Sequence, residues 1–287
     1  MRKYRFQCWH VAFRKHKDDI FNNNDEFIII PNTFRYWAAD PFVIFKDGIY
    51  YIFAELYDKI LRKGRLGYCK VSVEGKILSK WKMTIKSSVH MSFPNPVIVD
   101  GQLLLMPESG KEFELRYYEP IRFPDKWRIK EKLLEGIQVC DTIELGDDYL
   151  WAYDDFTRDK KALIYKKGSN QSYVCIKEIP DNDCKLRPAG KAFEINGQLI
   201  VPLQNCDGEY GKSIFFNRII FDKVLNDIKT DVVYEMSNAN VIIHGLNEEV
   251  IGMHTYNFDN ELEVIDYKTR VFTWGDICGL LLSKFRK

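Results

Sequence analysis

An all-β fold, a five-bladed β-propeller in a single domain spanning residues 1–287, is what this sequence predicts, on three observations. Aromatic residues reach 14% of the 287, which suits pleated, half-buried surfaces. Alternating aromatic and β-branched runs are broken by Asp-Gly and Asn-Gly turns, the short-range signature of hairpins. The same hairpin phrase recurs five times, opening near residues 40, 95, 141, 189 and 244. A multi-stranded repeat of roughly 50 residues is the size of a propeller blade. No run sustains a 3.6-residue apolar period, and the competing arrangement is a β-sandwich with chance hairpin similarity.

The first phrase is the clearest, Asp40-Pro-Phe-Val-Ile-Phe-Lys-Asp-Gly-Ile-Tyr-Tyr-Ile-Phe-Ala-Glu55. The second is Asn95-Pro-Val-Ile-Val-Asp-Gly-Gln-Leu-Leu-Leu-Met-Pro-Glu108, and the third, weaker, runs Asp141 to Asp154. The fourth runs Arg187 to Gln204 around Asn196-Gly197, and the fifth, weaker again, His244 to Thr255. Each opens on a polar residue, forms a strand, turns, and ends a second strand on a polar residue. This grammar predicts four-stranded blades with inner strands starting near 41, 96, 142, 189 and 245. It also places Asp40, Glu108, Asp141, Arg187 and His254 at one end of the molecule.

Composition excludes several classes. Lys+Arg is 42 and Asp+Glu is 41, a formal net charge of +1. No basic stripe is present for phosphate-driven nucleic-acid binding, so no nucleic-acid partner is expected. Neither G-x-x-x-x-G-K-[ST] nor G-x-G-x-x-G occurs, and no cofactor is expected. Seven cysteines at irregular spacings, with no C-x-x-C pair, predict reduced thiols in a cytoplasmic protein rather than zinc or disulfides. The N-terminus has positive charge but no apolar h-region, so no secretory signal is expected. No stretch approaches the roughly 18 apolar residues that span a bilayer. The tail from Cys278 to Lys287 is apolar, then basic. It is a candidate for peripheral contact with the inner membrane face, against the plainer reading of a last strand and a solvated end.

Trp37-Ala-Ala-Asp-Pro-Phe-Val43 with its Asp-Gly hairpin resembles the first-blade signature of five-bladed carbohydrate-active propellers, the arabinanase/xylosidase-like and invertase-like glycoside hydrolases. Phe93-Pro-Asn-Pro96, Met106-Pro-Glu-Ser109, Arg187-Pro-Ala-Gly190, Gln204, Tyr210-Gly211 and Gly252-Met-His-Thr255 are closer to another propeller domain. It is found in bacterial polysaccharide loci and in the N-terminal part of plant glucosamine inositolphosphorylceramide transferases. The hydrolase resemblance implies three carboxylates: an Asp base opening blade one, an Asp opening a later blade, and a Glu acid opening the next. Asp40 matches the base and Asp141 the second Asp. The acid's place falls on Arg187-Pro188, where there is no carboxylate.

A sugar leaving group needs a proton, whereas a phosphate leaving group needs positive charge, which the arginine fork supplies. Asp40 as base and Arg187 as phosphate clamp therefore point to a glycosyltransferase. It would use a nucleotide-sugar donor in cell-surface polysaccharide or glycolipid assembly. Glu55 or Glu108, supplying a proton from a second strand, would instead make an inverting glycoside hydrolase. A non-catalytic carbohydrate-binding propeller is the third reading. Asp40, Asp141 and Glu108 are the catalytic candidates. Arg187, His254, Gln204, Tyr210, Asp154, Trp37, Asn95 and His244 are the substrate-binding candidates. Tyr36 and Trp151 are further stacking surfaces. Each has a plainer role: Pro41 holds Asp40 extended as a turn cap, a lone His is usually structural, and aromatic residues pack cores. Asp154, Asp155 and Asp159 read as a solvated turn, and no metal is expected.

Overall fold

The structure is a computed structural model and describes residues 6–85, 87–169, 171–222 and 227–283. It forms five antiparallel sheets, one per blade. β1 (Phe6–Lys15) and β2 (Ile28–Ile30) make the outer half of blade five. Blade one is β3 (Tyr36–Lys46), β4 (Ile49–Asp58), β5 (Lys63–Ser72) and β6 (Lys82–Ile85). Blade two is β7 (Ser92–Val99), β8 (Gln102–Glu108), β9 (Glu114–Arg122) and β10 (Lys126–Glu135). Blade three is β11 (Cys140–Leu145), β12 (Tyr149–Asp154), β13 (Lys161–Lys167) and β14 (Tyr173–Pro180). Blade four has a broken inner strand, β15 (Arg187–Pro188) and β16 (Phe193–Ile195), then β17 (Gln198–Asn205), β18 (Ser213–Asp222) and β19 (Asp227–Met236). β20 (Tyr256–Asp259) and β21 (Leu262–Val271) complete blade five, β21 pairing β1 from Phe6↔Val271 to Lys15↔Leu262. A helix, α1 (Trp274–Ser283), comes last.

Apolar faces of adjacent blades bury one another, which is how alternation becomes a core. Phe53 and Tyr68 of blade one pack with Leu105 and Tyr118 of blade two. Val97 and Leu104 meet Leu150 and Leu163, and Trp151 and Ile164 meet Val201 and Leu203. Ile200 and Phe216 meet Tyr256 and Ile265, and Ile52 and Val71 close the ring on Val11 and Val264.

Five polar bonds stitch neighbouring blades together near the axis in the same circular order. Phe93 N donates to Asp40 Oδ2 (3.2 Å), Asn95 Nδ2 to Thr142 O (3.2 Å) and Gln204 Nε2 to Asp141 Oδ2 (2.9 Å). Tyr256 N donates to Ala189 O (2.8 Å), and Asn257 Nδ2 to Pro41 O (2.8 Å).

The break in blade four has a local cause. Gly190 has φ 155, and a Cβ built on it would lie 1.9 Å from Tyr256 O. Gly190→Ala is accordingly expected to cost about 1–3 kcal/mol through overpacking, seen as a Tm several degrees lower by calorimetry. An unchanged Tm would mean that this approach of blades four and five is not needed for the fold.

Two expectations are corrected. The fifth inner strand starts at Tyr256, not near 245, because the tight turn lies at Asp259-Asn260-Glu261, with Asn260 at φ 52. The end of the chain is helical, not a strand, as far as residue 283; residues 284–287 lie outside the described residues. Thr273 caps that helix: its Oγ1 accepts from Asp276 N at 3.2 Å, the usual N-cap bond, and its hydroxyl donates to the Asp276 carboxylate.

Candidate functional site

The site is built by one repeated irregularity. In blade one Ala39 pairs with Glu55, then the register slips so that Phe42 pairs with Phe53. In blade two Ser92 pairs with Glu108 before the slip, and in blade three Cys140 pairs with Tyr153. The residue just after each pair, Asp40, Phe93 or Asp141, has φ of 51, 45 or 43. Such bulges re-aim side chains, and left-handed backbone is most easily borne by Asp and Asn among non-glycine residues. Asp40 is therefore not held extended by Pro41. In blade four the corresponding pair is Arg187 with Gln204. Arg187 thus stands where the other blades have Ala39, Ser92 and Cys140, and Gln204 stands where they have Glu55, Glu108 and Tyr153.

Asp40 is nearly buried, at 5% exposure. Besides Phe93 N, its carboxylate accepts from Thr255 Oγ1 at 3.2 Å and lies 3.2 Å from His254 Nε2. Burial, with the charges of Asp141 and Asp266, pushes the Asp40 carboxyl up to about 6, against the pull of His254. His254 Nδ1 is 2.7 Å from Asp266 Oδ2. Burial opposes charging of that ring, but Asp266 and then Asp40 outweigh it and raise its pKa. Asp266 also accepts from the backbone N–H groups of Asp40 (2.9 Å), His254 (3.0 Å) and Thr255 (2.9 Å). Trp9 stacks on the His254 ring with centroids 4.0 Å apart.

Arg187 organises the other half. Its Nε donates to Asp141 and its Nη1 to Asp155 (2.9 Å), while Nη2 is 4.0 Å from Glu108 Oε2. Tyr210 joins the halves: its ring centroid is 5.4 Å from the Arg187 guanidinium carbon and 5.2 Å from the His254 ring. Glu108 is raised well above the carboxylate range, first by burial and then by Asp141, against the pull of Arg187. Glu55 is raised well above it too, by burial and then by Asp40. Its Oε1 is buried without a hydrogen bond, although His90 Nε2 lies 3.5 Å away. Solvent reaches this cluster past Arg187, Glu108, Asp155 and the half-exposed Tyr210, while Asp40, Asp141 and His254 lie beneath. The arrangement brings a buried Asp40 carboxyl, two further carboxyls raised by burial and a guanidinium into one cluster.

Glu55 gives a stability prediction with a definite sign. A carboxyl whose folded pKa is raised stabilises the fold below its ordinary value, and that contribution is lost as pH rises through the folded value. Glu55→Gln keeps the shape and removes the loss. A higher Tm is expected near pH 8, about 2–4 °C per kcal/mol recovered, with little change near pH 4. A lower Tm at the alkaline end would mean that Glu55 is ionised and paired.

Asp40, Asp141, Glu108, Arg187, Gln204, His254 and Tyr210 are thus brought together. Asn95 lies under them, joining blades two and three, with its Oδ1 buried and without a hydrogen-bond partner. Three candidates are placed otherwise. His244 is exposed and pairs with Glu26 at 2.6 Å, because the loop that carries it precedes the true inner strand. Asp154 caps its own turn, accepting from Phe156 N, Thr157 N and Thr157 Oγ1, and its neighbour Asp155 reaches Arg187 instead. Trp37 stacks on Tyr57 at 4.4 Å, two residues before Ala39 in the strand. Trp151 is fully buried and donates to Leu186 O, and Tyr36 packs against the core between blades five and one.

Sequence reasoning read Asp155 as part of a solvated turn, whereas it accepts from Arg187, and it missed Asp266 and Trp9. Asp266 had a readable signal, an acid between Ile265 and Tyr267 in an otherwise buried strand. Among the described residues one triad, Asp40, His254 and Asp266, has potential metal-ligand atoms within 4.8 Å of one another. His254 lies between the two carboxylates, which already accept from four backbone N–H groups.

Residues 30–259 match the family described as glucosamine inositolphosphorylceramide transferase 1, N-terminal. A glucosamine inositolphosphorylceramide transferase 1 of Arabidopsis thaliana is 26% identical over 201 residues, 66% of this chain and 26% of the relative. The counterpart from Oryza sativa subsp. indica is 25% identical over 194 residues, 64% of this chain and 26% of the relative. The chain therefore spans about a quarter of the length of the curated relatives it matches. Among solved structures, the catalytic domain of a Coprinopsis cinerea family 62 α-L-arabinofuranosidase superposes with a TM-score of 0.57 at 11% identity. It covers 93% of this chain and 97% of the other. A Podospora anserina α-L-arabinofuranosidase gives 0.54 at 11% identity, covering 80% and 90%. At these identities the likeness concerns the fold.

Proposed function

The chain belongs to the family of the N-terminal region of glucosamine inositolphosphorylceramide transferase 1, and from that premise we propose that its axial cluster is a glycosyl-transfer site. Asp40 is the general base that takes the proton of the attacking hydroxyl, and Arg187 faces the departing phosphate of a sugar-phosphate donor. The observation that carries this reading is the division of labour at Arg187. Nε and Nη1 are spent on Asp141 and Asp155, while Nη2 lies 4.0 Å from Glu108 Oε2, the loosest of the three pairings. A guanidinium held firmly on two sides and only loosely paired on the third is a preorganised anion contact. The relatives' name, which couples glucosamine and inositolphosphorylceramide in a transfer, supports the reaction class.

A second reading is glycoside hydrolysis, and one observation favours it. Burial and the charge of Asp141 push the Glu108 carboxyl well above its ordinary range, which favours its acid form and makes β8 the source of the acid absent from Arg187-Pro188. Two product assays separate the readings. Nucleotide release from a panel of nucleotide sugars with an alcohol acceptor supports transfer. Nitrophenol release from chromogenic furanosides or pyranosides, with no turnover of nucleotide sugars, overturns transfer in favour of hydrolysis. Sugar binding by calorimetry without turnover of either panel would make the propeller a binding module.

A further inference from the structure

The apolar side chains of α1 point the wrong way for a helix that merely packs on its own protein. Trp274 is 66% exposed and Leu281 54%, with Leu282, Phe272 and Phe34 also exposed. The face turned to the propeller is made of glycines. A Cβ on Gly275 would lie 2.2 Å from Phe34 O, and one on Gly279 would lie 2.1 Å from Lys59 O. A surface helix normally buries its large apolar residues and shows polar ones to solvent. Here the order is reversed, and a contiguous exposed apolar patch marks an interaction site.

The end of the chain is basic. Ser283-Lys284-Phe285-Arg286-Lys287 holds three cations, and no acid occurs after Asp276. The exposed Arg62 and the buried Lys59 line a cavity of about 190 Å³ between α1 and blade one, with Asp276 as the one acid there. Trp and Leu on one side, with Lys and Arg beside them, is the composition of a helix lying in the headgroup region of an anionic bilayer. No helix among the described residues is long and apolar enough to cross a membrane, so lying on the surface is the geometry open to α1.

The position gives this a consequence. Phe34 comes just before β3 and Lys59 just after β4, the strand ends that carry Asp40 and Glu55. The apolar face is therefore at the same end of blade one as the axial cluster. We propose that α1 docks the propeller on an anionic lipid surface and turns the axial site toward it. The inference holds whichever reaction the site performs.

Sedimentation of the full chain with vesicles tests it. Binding is expected to vesicles of phosphatidylcholine mixed equally with phosphatidylglycerol, and much less to phosphatidylcholine alone, with loss in high salt. Leu281→Glu with Leu282→Glu should weaken binding by at least about tenfold, since two buried leucine side chains are lost. Trp274→Ala, a milder change, should weaken it in the same direction without altering Tm. Replacing Lys284, Arg286 and Lys287 by alanine should reduce binding to that seen with neutral vesicles. Failure to sediment, equal binding to both vesicle types, or binding indifferent to the leucine variant overturns the proposal. So does a stable dimer in light scattering that the leucine variant dissociates, for then a second copy covers the face.

Discussion

Asp40→Asn is expected to leave a folded propeller whose turnover has fallen by about 10²–10⁴-fold, the usual loss when a general base is removed. The fold should survive because asparagine satisfies the same contacts. Its carbonyl oxygen can accept from Phe93 N, its amide can donate to Thr255 Oγ1, and it tolerates the φ of 51 at this bulge. The wild-type rate should fall as pH drops through about 6, where the buried Asp40 carboxyl takes up its proton. Stability moves the other way. The raised Asp40 pKa favours the fold below the ordinary carboxylate range, and that contribution disappears as pH rises through about 6. The Asn variant should thus gain in relative Tm toward neutral pH. Steady-state rates and calorimetry across pH check both limbs. Undiminished turnover in the variant would remove Asp40 from the chemistry.

Arg187→Ala should be the most damaging single change to the site. It strips the cation from Asp141 and Asp155 and from the neighbourhood of Glu108. Removing one partner of a buried pair typically costs about 3–5 kcal/mol. The Tm deficit should be larger near pH 8 than near pH 5, because protonating a carboxylate relieves the uncompensated charge. Binding of a nucleotide sugar should be lost even at a temperature where the variant is folded. Arg187→Lys should not restore it, since a point charge cannot hold Asp141 and Asp155 and still face a third group. Equal donor affinity in folded wild type and folded Arg187→Ala would leave the arginine a purely structural role.

Much of this architecture is legible in the residues themselves. Asp47-Gly48, Asp100-Gly101 and Asn196-Gly197 each lie between alternating runs, and each proves to be the turn of an inner hairpin. Four correctly placed hairpins at a near-constant spacing are enough to set the blade count, and Asp40, Glu108, Asp141, Arg187 and Gln204 at their ends converge, whereas Asp154 and the His244 of the misplaced fifth phrase do not. Register is what the residues do not disclose. Glu55 and Glu108 enter the cluster because each pairs with the residue before a bulge, and a one-residue slip would turn both away. Asp155 rather than Asp154 meets Arg187 because the tight turn consumes the first carboxylate. The fifth blade's hairpin is misplaced from sequence because Gly245 to Glu249 is rich in turn-forming residues, whereas Asp259-Asn260 lacks a glycine. The helix is hidden because its contact face is glycine and leaves no apolar period.

A crystal structure of Asp40→Asn with a nucleotide sugar, or with the glycoside that proves to be turned over, tests the central claim most directly. The anomeric carbon is expected over the axial cluster. The attacking oxygen would be held by residue 40, about 3–3.5 Å from that carbon, and the leaving group would lie against Arg187. A sugar seated on the Trp37–Tyr57 platform, or in the axial cluster with its anomeric carbon turned away from residue 40, would contradict it.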